Sequence, residues 1–270
     1  MTTSFKEKYG SYAIVVGASA GIGEALASQI ASKGVNLVLV ARRSEKLTVL
    51  ATALEQQFDI KTLCVPLDLL QEDAVDMLAE AVAELDIGLL VVNAASVLAG
   101  SFLKNSYEQE SNLVRLNTFV SARLVHRIGN RMKLQKRGGI LLVSSLAGNA
   151  PTPYQASYAA TKAYLSSFGQ ALAFELASDG VDVLVVAPGA TDTEGLKSTA
   201  NIDYSKMKGV QMMTADAVAK DAIANLGNKT YMIPGFRNRL SGFILGMLPR
   251  KVSLRMIGRM TAAAIDPAVL

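Results

Sequence analysis

The sequence predicts an α/β protein: a doubly wound parallel sheet of about seven strands, helices on both faces, and a basic amphipathic extension at the C-terminus. Three observations carry that prediction. From Tyr12 onward, short β-branched runs alternate with longer segments of helical period, the rhythm of repeated βα units. The runs are mostly apolar throughout rather than on alternate residues, as strands covered on both faces are. The first run leads through the turn Gly17-Ala18-Ser19-Ala20-Gly21-Ile22-Gly23 straight into a helical segment, the context a phosphate-binding loop requires.

In chain order, the strands fall at residues 13–16, 35–40, 62–65, 89–92, 140–143, 183–186 and 231–233. The first helix spans about 21–32 and stops at Gly34, a residue that takes the left-handed cap conformation without steric cost. Ser44 is the expected N-cap of the second helix, and Thr214 that of a later one carrying residues 217–223. Helical period also runs through 121–132 and 155–177. Residues 194–213 are the longest stretch without clear period. They follow the sixth strand, at the edge where open α/β sheets bind ligands, and fit a mobile substrate lid. No repeat or long linker interrupts the chain, so 1–235 forms one dinucleotide-binding and catalytic domain and 236–270 an apolar, basic extension.

Composition narrows the function classes. Half of the 270 residues are hydrophobic and 27 basic side chains face 23 acidic ones, which suits a large core and excludes dominant disorder. The single cysteine, Cys64, excludes an internal disulfide framework, and Lys6, Glu7 and Lys8 interrupt any secretory signal in the first ten residues. A reducing, cytoplasmic setting is expected. No run of about 18 apolar residues is available to span a bilayer. The net positive charge belongs to the tail, where residues 229–270 hold seven basic side chains and one acidic. No metal site is predicted.

In the glycine-rich turn, Gly17 permits the tight bend, Gly21 lets backbone approach a pyrophosphate and Gly23 lets the helix pack closely. The helix dipole and free amides favour an anion there, and Ser19 and Ile22 belong to the same set of cofactor-binding positions. The turn also matches G-x-S-x-G with Ser19 as nucleophile, but that hydrolase arrangement needs a late histidine, and the one histidine is His126, inside a helical pattern. After the second strand, where a carboxylate would hold a ribose 2′-hydroxyl, stand Arg42 and Arg43. Guanidinium groups grip phosphate in a fixed fork, so the pair points to NADP(H) over NAD.

Tyr158 and Lys162, four apart on one helix face, together can handle a proton: a nearby ammonium favours phenolate and draws the phenol toward neutral range. Ser145 precedes the tyrosine by thirteen residues, at the end of the fifth strand, where its hydroxyl can meet a substrate oxygen; Ser144 is its structural neighbour.

Taken together in order, these residues resemble the short-chain dehydrogenase/reductase family, over roughly residues 12–234. The set is Gly17-x-x-x-Gly21-x-Gly23, Asp68, Asn93, Asn117, Ser145, Tyr158-x-x-x-Lys162 and Pro188-Gly189-x-x-x-Thr193. The resemblance implies a Rossmann fold and an NADP(H)-dependent oxidoreductase interconverting a carbonyl and an alcohol. It implies that Tyr158 protonates the carbonyl oxygen, that Lys162 lowers the tyrosine pKa and holds the nicotinamide ribose, that Ser145 orients the carbonyl, and that Asn117 positions a proton-relaying water. It further implies Asp68 at adenine, Asn93 at the adenosine ribose, and Pro188, Gly189, Thr191 and Thr193 around the nicotinamide. Two departures stand out: Val16 where the family has Thr, and Asn93-Ala94-Ala95-Ser96 where it has Asn-Asn-Ala-Gly.

The leading function is therefore NADPH-dependent reduction of an apolar ketone or aldehyde, a 3-oxoacyl or other lipid-like compound among the candidates, or the reverse oxidation. The alternative is a noncatalytic NADP-binding sensor or interaction protein on the same fold. The resemblance favours a homodimer or homotetramer through the helices carrying Asn117 and Tyr158. The tail places Val252, Met256, Ile257 and Met260 on one side and Arg255 and Arg259 on the other. Such an end lies on an anionic membrane, covers an apolar substrate or packs in a subunit interface; nucleic acid is disfavoured, since no reader motif accompanies the charge.

Overall fold

The computed structural model describes residues 4–197, 201–207 and 212–270. A short helix α1 (Phe5–Tyr9) precedes β1 (Tyr12–Val16), α2 (Gly21–Ala31), β2 (Asn36–Ala41), α3 (Ser44–Phe58), β3 (Thr62–Pro66), α4 (Ala74–Ala81) and β4 (Ile87–Val92). One long helical passage comes next, made of α5 (Tyr107–Val114), a wider π-helical stretch (Arg115–Val120) and α6 (Ser121–Gln135). Then follow β5 (Gly138–Val143), α7 (Ala156–Leu176), β6 (Val181–Val186), β7 (Thr191–Asp192), α8 (Glu194–Lys197), β8 (Met213–Thr214), α9 (Ala215–Asn225), β9 (Tyr231–Met232), α10 (Phe236–Met247) and α11 (Arg250–Ala264).

Seven strands hydrogen-bond in the order β3-β2-β1-β4-β5-β6-β9, every pair parallel. The order reverses between β1 and β4, and a doubly wound sheet opens its ligand crevice at such a reversal. β4 and β5 are buried at every residue. On one face, Val15, Leu39 and Leu89 pack with Leu26 and Ile30 of α2, Leu47 of α3 and Val218 of α9. On the other, Ile14, Val40 and Leu90 pack with Leu78 of α4 and Leu124 and Ile128 of α6. Each such Leu or Ile contributes about 2 kcal/mol by leaving water. The edge strand β3 is different: it pairs on one side alone, with β2, and Leu63 is 36 % exposed.

Several sequence expectations change at their edges. β4 starts at Ile87 and β5 at Gly138, two residues earlier than their apolar runs: Gly138 and Gly139 pair in the ladder despite being poor strand formers, and Gly88 is the residue skipped where the β1–β4 register shifts. Gly88 and Gly139 make room for Tyr9: a Cβ on Gly88 would lie 2.1 Å from the Tyr9 carbonyl oxygen, and one on Gly139 would lie 2.8 Å from its ring. Ser44 is the first residue of α3 rather than its cap; β2 runs to Ala41, which leaves Arg43 at the cap position without a side-chain bond to the helix. Thr214 does cap α9, accepting from the Ala217 amide at 3.2 Å, and Gly34 adopts φ +74°.

The proposed lid at 194–213 is partly regular: α8 opens it, and β8 closes it by pairing with β7. Residues 198–200 and 208–211 of that stretch lie outside the described residues. The extension forms α10 and α11, and the chain end returns to the lid through an antiparallel bridge between Ile202 and Ile265. Among the described residues, no helix is long and apolar enough to cross a membrane.

At the opposite end of the sheet from the strand C-termini, α1 acts as a clasp. The Tyr9 hydroxyl donates to Asp182 of β6 at 2.8 Å, Lys8 pairs with the same carboxylate at 2.7 Å, and Tyr9 is buried. Tyr9→Ala should therefore lower the free energy of unfolding by about 3 kcal/mol. Urea titration checks this; a loss below about 0.5 kcal/mol, ordinary for a surface residue, would refute the clasp.

Candidate active site

The β1–α2 turn sits at the reversal of strand order and is held there by backbone. The Gly17 and Ala18 amides donate to the Val40 carbonyl at 2.7 and 3.2 Å, and the Asn93 side-chain amide donates to the Gly17 carbonyl at 3.0 Å. Space is the constraint: a Cβ on Gly23 would lie 2.1 Å from the Gly17 oxygen, and Gly17 itself has φ +82° against the backbone of Ala94. α2 begins at Gly21 with Ala20 as its cap, which offers no side-chain acceptor, so the helix presents its first amides to the crevice.

From this turn a cleft of about 710 Å³ runs along the C-terminal ends of the strands. Gly17, Ser19, Gly21, Ile22, Arg42, Arg43, Asp68, Asn93, Ser145, Tyr158, Lys162, Pro188, Gly189, Thr191 and Thr193 all line it. Of the predicted site residues, Gly23 and Asn117 stand behind the wall. His126 is exposed on α6 and does not line the cleft, which removes the hydrolase arrangement.

At one end, Arg43 donates to Glu194 at 2.9 Å and to the Ser19 hydroxyl at 3.1 Å, while Lys46 reaches the same Glu194 at 2.6 Å. These two cations hold the Glu194 carboxyl below its ordinary range. Arg42 is exposed on the cleft rim. Asp68, at the end of β3, accepts from the Leu70 amide at 3.1 Å. The Thr193 hydroxyl accepts from the Leu196 amide at 3.1 Å, starting α8, and Thr191 donates to the Gly189 carbonyl at 3.1 Å.

At the other end lie Ser145, Tyr158 and Lys162. Ser145 accepts from the Ala147 amide at 3.2 Å, and its hydroxyl hydrogen bonds Tyr158. Ser144 is structural, as expected: its hydroxyl donates to the Lys162 carbonyl at 2.7 Å and meets Ser166 at 2.8 Å. Lys162 is 3 % exposed, and its ammonium donates to the Val143 carbonyl at 2.8 Å. The ladder between β4 and β5 ends one residue earlier, at Val92–Leu142, because β4 turns away so that Asn93 and Ala94 bond the Val16 carbonyl. The lysine takes the carbonyl that the ladder leaves.

Burial dominates the electrostatics of this pair. It pushes the Tyr158 phenol up to about 12; a hydrogen bond from Ser145 offsets part of this and the nearby Tyr204 adds to it. Burial also brings Lys162 down to about 8. The ammonium lies 5.8 Å from the Tyr158 ring centroid and is committed to Val143, so the expected lowering of the phenol is not found in this arrangement.

Asn117, fully buried in the π-helical stretch, bonds both polar groups of Ser96: its Oδ1 accepts from the Ser96 amide and its Nδ2 donates to the Ser96 carbonyl, each at 2.9 Å. Nδ2 also donates to Thr161 at 3.1 Å. Sequence reasoning missed Thr161, Lys46 and the Gln155–Tyr204 bond at 2.9 Å beside Tyr158. Only Thr161 carried a local signal, as the neighbour of Lys162. Val16 and Ala94, the two departures, pack in one apolar cluster, so neither leaves an orphaned polar partner.

The model of the short chain dehydrogenase family matches residues 11–202. The chain belongs to that family. It is thus an oxidoreductase acting on CH–OH groups, on a Rossmann fold. A 7β-hydroxysteroid dehydrogenase of Clostridium sardiniense is 33 % identical over 236 residues, covering 87 % of this chain and 90 % of that one. A very-long-chain 3-oxoacyl-CoA reductase of Neurospora crassa is 39 % identical over 184 residues, 66 % of this chain and 55 % of that one. Among solved structures, a 7β-hydroxysteroid dehydrogenase superposes with TM-score 0.87 at 29 % identity, covering 94 % of this chain and 99 % of that one. A short-chain dehydrogenase from Sphingobium yanoikuyae in complex with NADPH gives 0.77 at 28 % identity, covering 86 % and 92 %. The glycine turn, uncapped helix start and connected cleft of this family member fit a dinucleotide.

The neighbouring serines separate by variant. Ser144→Ala should cost about 1 kcal/mol of stability while turnover persists, and Ser145→Ala should leave stability nearly unchanged while turnover falls. Thermal melts and rates on the same preparations compare them; loss of turnover in Ser144→Ala at unchanged stability would reverse the assignment.

Proposed function

We propose that the protein is an NADPH-dependent carbonyl reductase, or in reverse an alcohol dehydrogenase, for an apolar, lipid-like ketone or aldehyde. The observation that carries it is a single cleft with a phosphate cradle and two arginines at one end and the Ser145 and Tyr158 hydroxyls beside Lys162 at the other. NADPH, when bound, supplies the hydride added to the carbonyl carbon. Tyr158, protonated at neutral pH with its pKa near 12, gives its proton to the carbonyl oxygen as charge develops there. Ser145, whose hydroxyl bonds Tyr158, gives its hydrogen to the same oxygen when substrate enters. The Lys162 ammonium stabilises the phenolate left behind by turning to it from the Val143 carbonyl, and Asn117 is a positioning residue that holds Ser96 and Thr161.

Arg42 and Arg43 support NADPH over NADH, since the positions after β2 where a carboxylate would hold a ribose 2′-hydroxyl carry two guanidinium groups, Arg43 being shared with Glu194; the NADPH complex of the Sphingobium yanoikuyae relative points the same way. Asp68 and Asn93 fit the adenosine side, and Pro188, Gly189, Thr191 and Thr193 the nicotinamide side. The apolar wall of Val97, Leu98, Ala99 and Leu116 suits a steroid-like or long acyl substrate. Residues 1–235 carry this chemistry, and the described lining of the cleft draws on none of 236–270. Exposed Phe119 and Phe174, at 72 % and 89 % on the helical passage before β5 and on α7, support a homodimer or homotetramer. The single cysteine fits a cytoplasmic setting.

NADPH oxidation against ketosteroids and 3-oxoacyl thioesters of increasing length tests the substrate class; no turnover across the set, by protein that binds NADPH, would favour the sensor alternative. Tyr158→Phe should cut turnover roughly 10²–10⁴-fold while NADPH still binds by fluorescence titration. Arg42→Ala should raise the NADPH Kd about tenfold and the NADH Kd less than about twofold, and equal effects would remove the NADP preference. Reduction should decline as pH rises through about 8, where Lys162 loses its proton. Lys162→Arg, which stays charged, should abolish that decline at reduced kcat; an unchanged pH profile would clear the lysine of the charge role.

A further inference from the structure

α10 turns its apolar side outward. Phe236, Leu240, Phe243, Ile244 and Met247 fall at the spacing of one helix face, and all are exposed, Phe243 at 66 % and Met247 at 71 %. The orientation is fixed from within. Asn238 packs on Gly189 and donates to the Pro234 carbonyl at 3.1 Å, and Gly242 faces Leu146 and Ile233. α11 adds exposed Val252, Leu254 and Met256, while its Gly258 faces Pro153. An uncovered apolar ridge of this kind marks an interaction surface.

Its charge identifies the partner. Arg237, Arg239, Arg250, Lys251, Arg255 and Arg259 are all exposed, and among the described residues no ion pair engages any of them. The one acid beyond residue 228 is Asp266, whose carboxylate accepts from the Ala268 amide. We propose that α10 and α11 dock the protein on an anionic lipid surface, the apolar ridge entering the headgroup boundary and the basic side chains meeting lipid phosphates. A second copy of the same patch is a poorer match, because a two-fold contact would bring like charges together. The ridge adjoins the cleft: α10 rests on the turn that follows Ser145 and on Gly189, and both Ser145 and Gly189 line the cleft. Docking thus puts the cleft mouth beside the acyl layer, where an apolar ketone is concentrated. Docking does not depend on the proposed reaction; substrate delivery rests on it.

Cosedimentation of the full chain with phosphatidylcholine vesicles, with and without about one third phosphatidylglycerol, tests docking. Binding should require the anionic lipid and fall about tenfold in Phe243→Glu/Met247→Glu and in Arg250→Glu/Lys251→Glu, with melting temperature unchanged. No binding by the full chain, binding indifferent to anionic lipid, or variants that sediment like the parent would overturn the proposal. So would a gel-filtration dimer that Phe243→Glu/Met247→Glu converts to monomer without altering sedimentation. Turnover of a short soluble ketone, unchanged in the variants, reports on the reductase reading separately.

Discussion

A sheet whose strands all run one way puts every strand's C-terminal end on one edge, and this protein's chemistry hangs from that edge. Gly17 follows β1, Arg42 β2, Asp68 β3, Asn93 β4, Ser145 β5 and Pro188 β6. Parallel strands need long crossovers, so helices cover both faces and the strands become apolar along their whole length. Where the crossover direction reverses, β1 and β4 adjoin while their helices part, and the glycine turn enters the gap. The bond from Asn93 to the Gly17 carbonyl ties the phosphate cradle to the strand end that leads toward the catalytic side.

That dependence explains what could be read from the sequence. β1, β2 and the centres of β4 to β6 are legible because burial on both faces leaves one kind of residue. The turn and the Tyr158–Lys162 pair are legible because their spacing is local. Gly88 and Gly139 concealed two strand starts, since their reason for being glycine is Tyr9, far away in the chain. The small β7–β8 pair and the α1 clasp are too short to show a period. Lys46 meets Glu194 across 148 residues, and Gln155 meets Tyr204 across 49, so neither contact leaves a mark in its own neighbourhood.

The electrostatic lesson concerns the order of effects. A lysine four residues from a tyrosine invites the expectation of a lowered phenol, but distance along a helix says nothing about desolvation. Lys162 is buried and Tyr158 half-buried in the cleft wall, and the loss of water moves each toward its neutral form, phenol upward and ammonium downward. The resulting phenol keeps its proton near neutral pH.

Lys162 has a second life in the bond to Val143. It supplies a donor to a strand-end carbonyl that the sheet abandons when β4 bends toward β1, and a buried carbonyl without a partner is costly whatever the chain catalyses. Selection on folding alone would therefore favour keeping this lysine even in a descendant that had lost its chemistry. Its place at the sheet edge makes the lysine part of the fold as much as of the reaction.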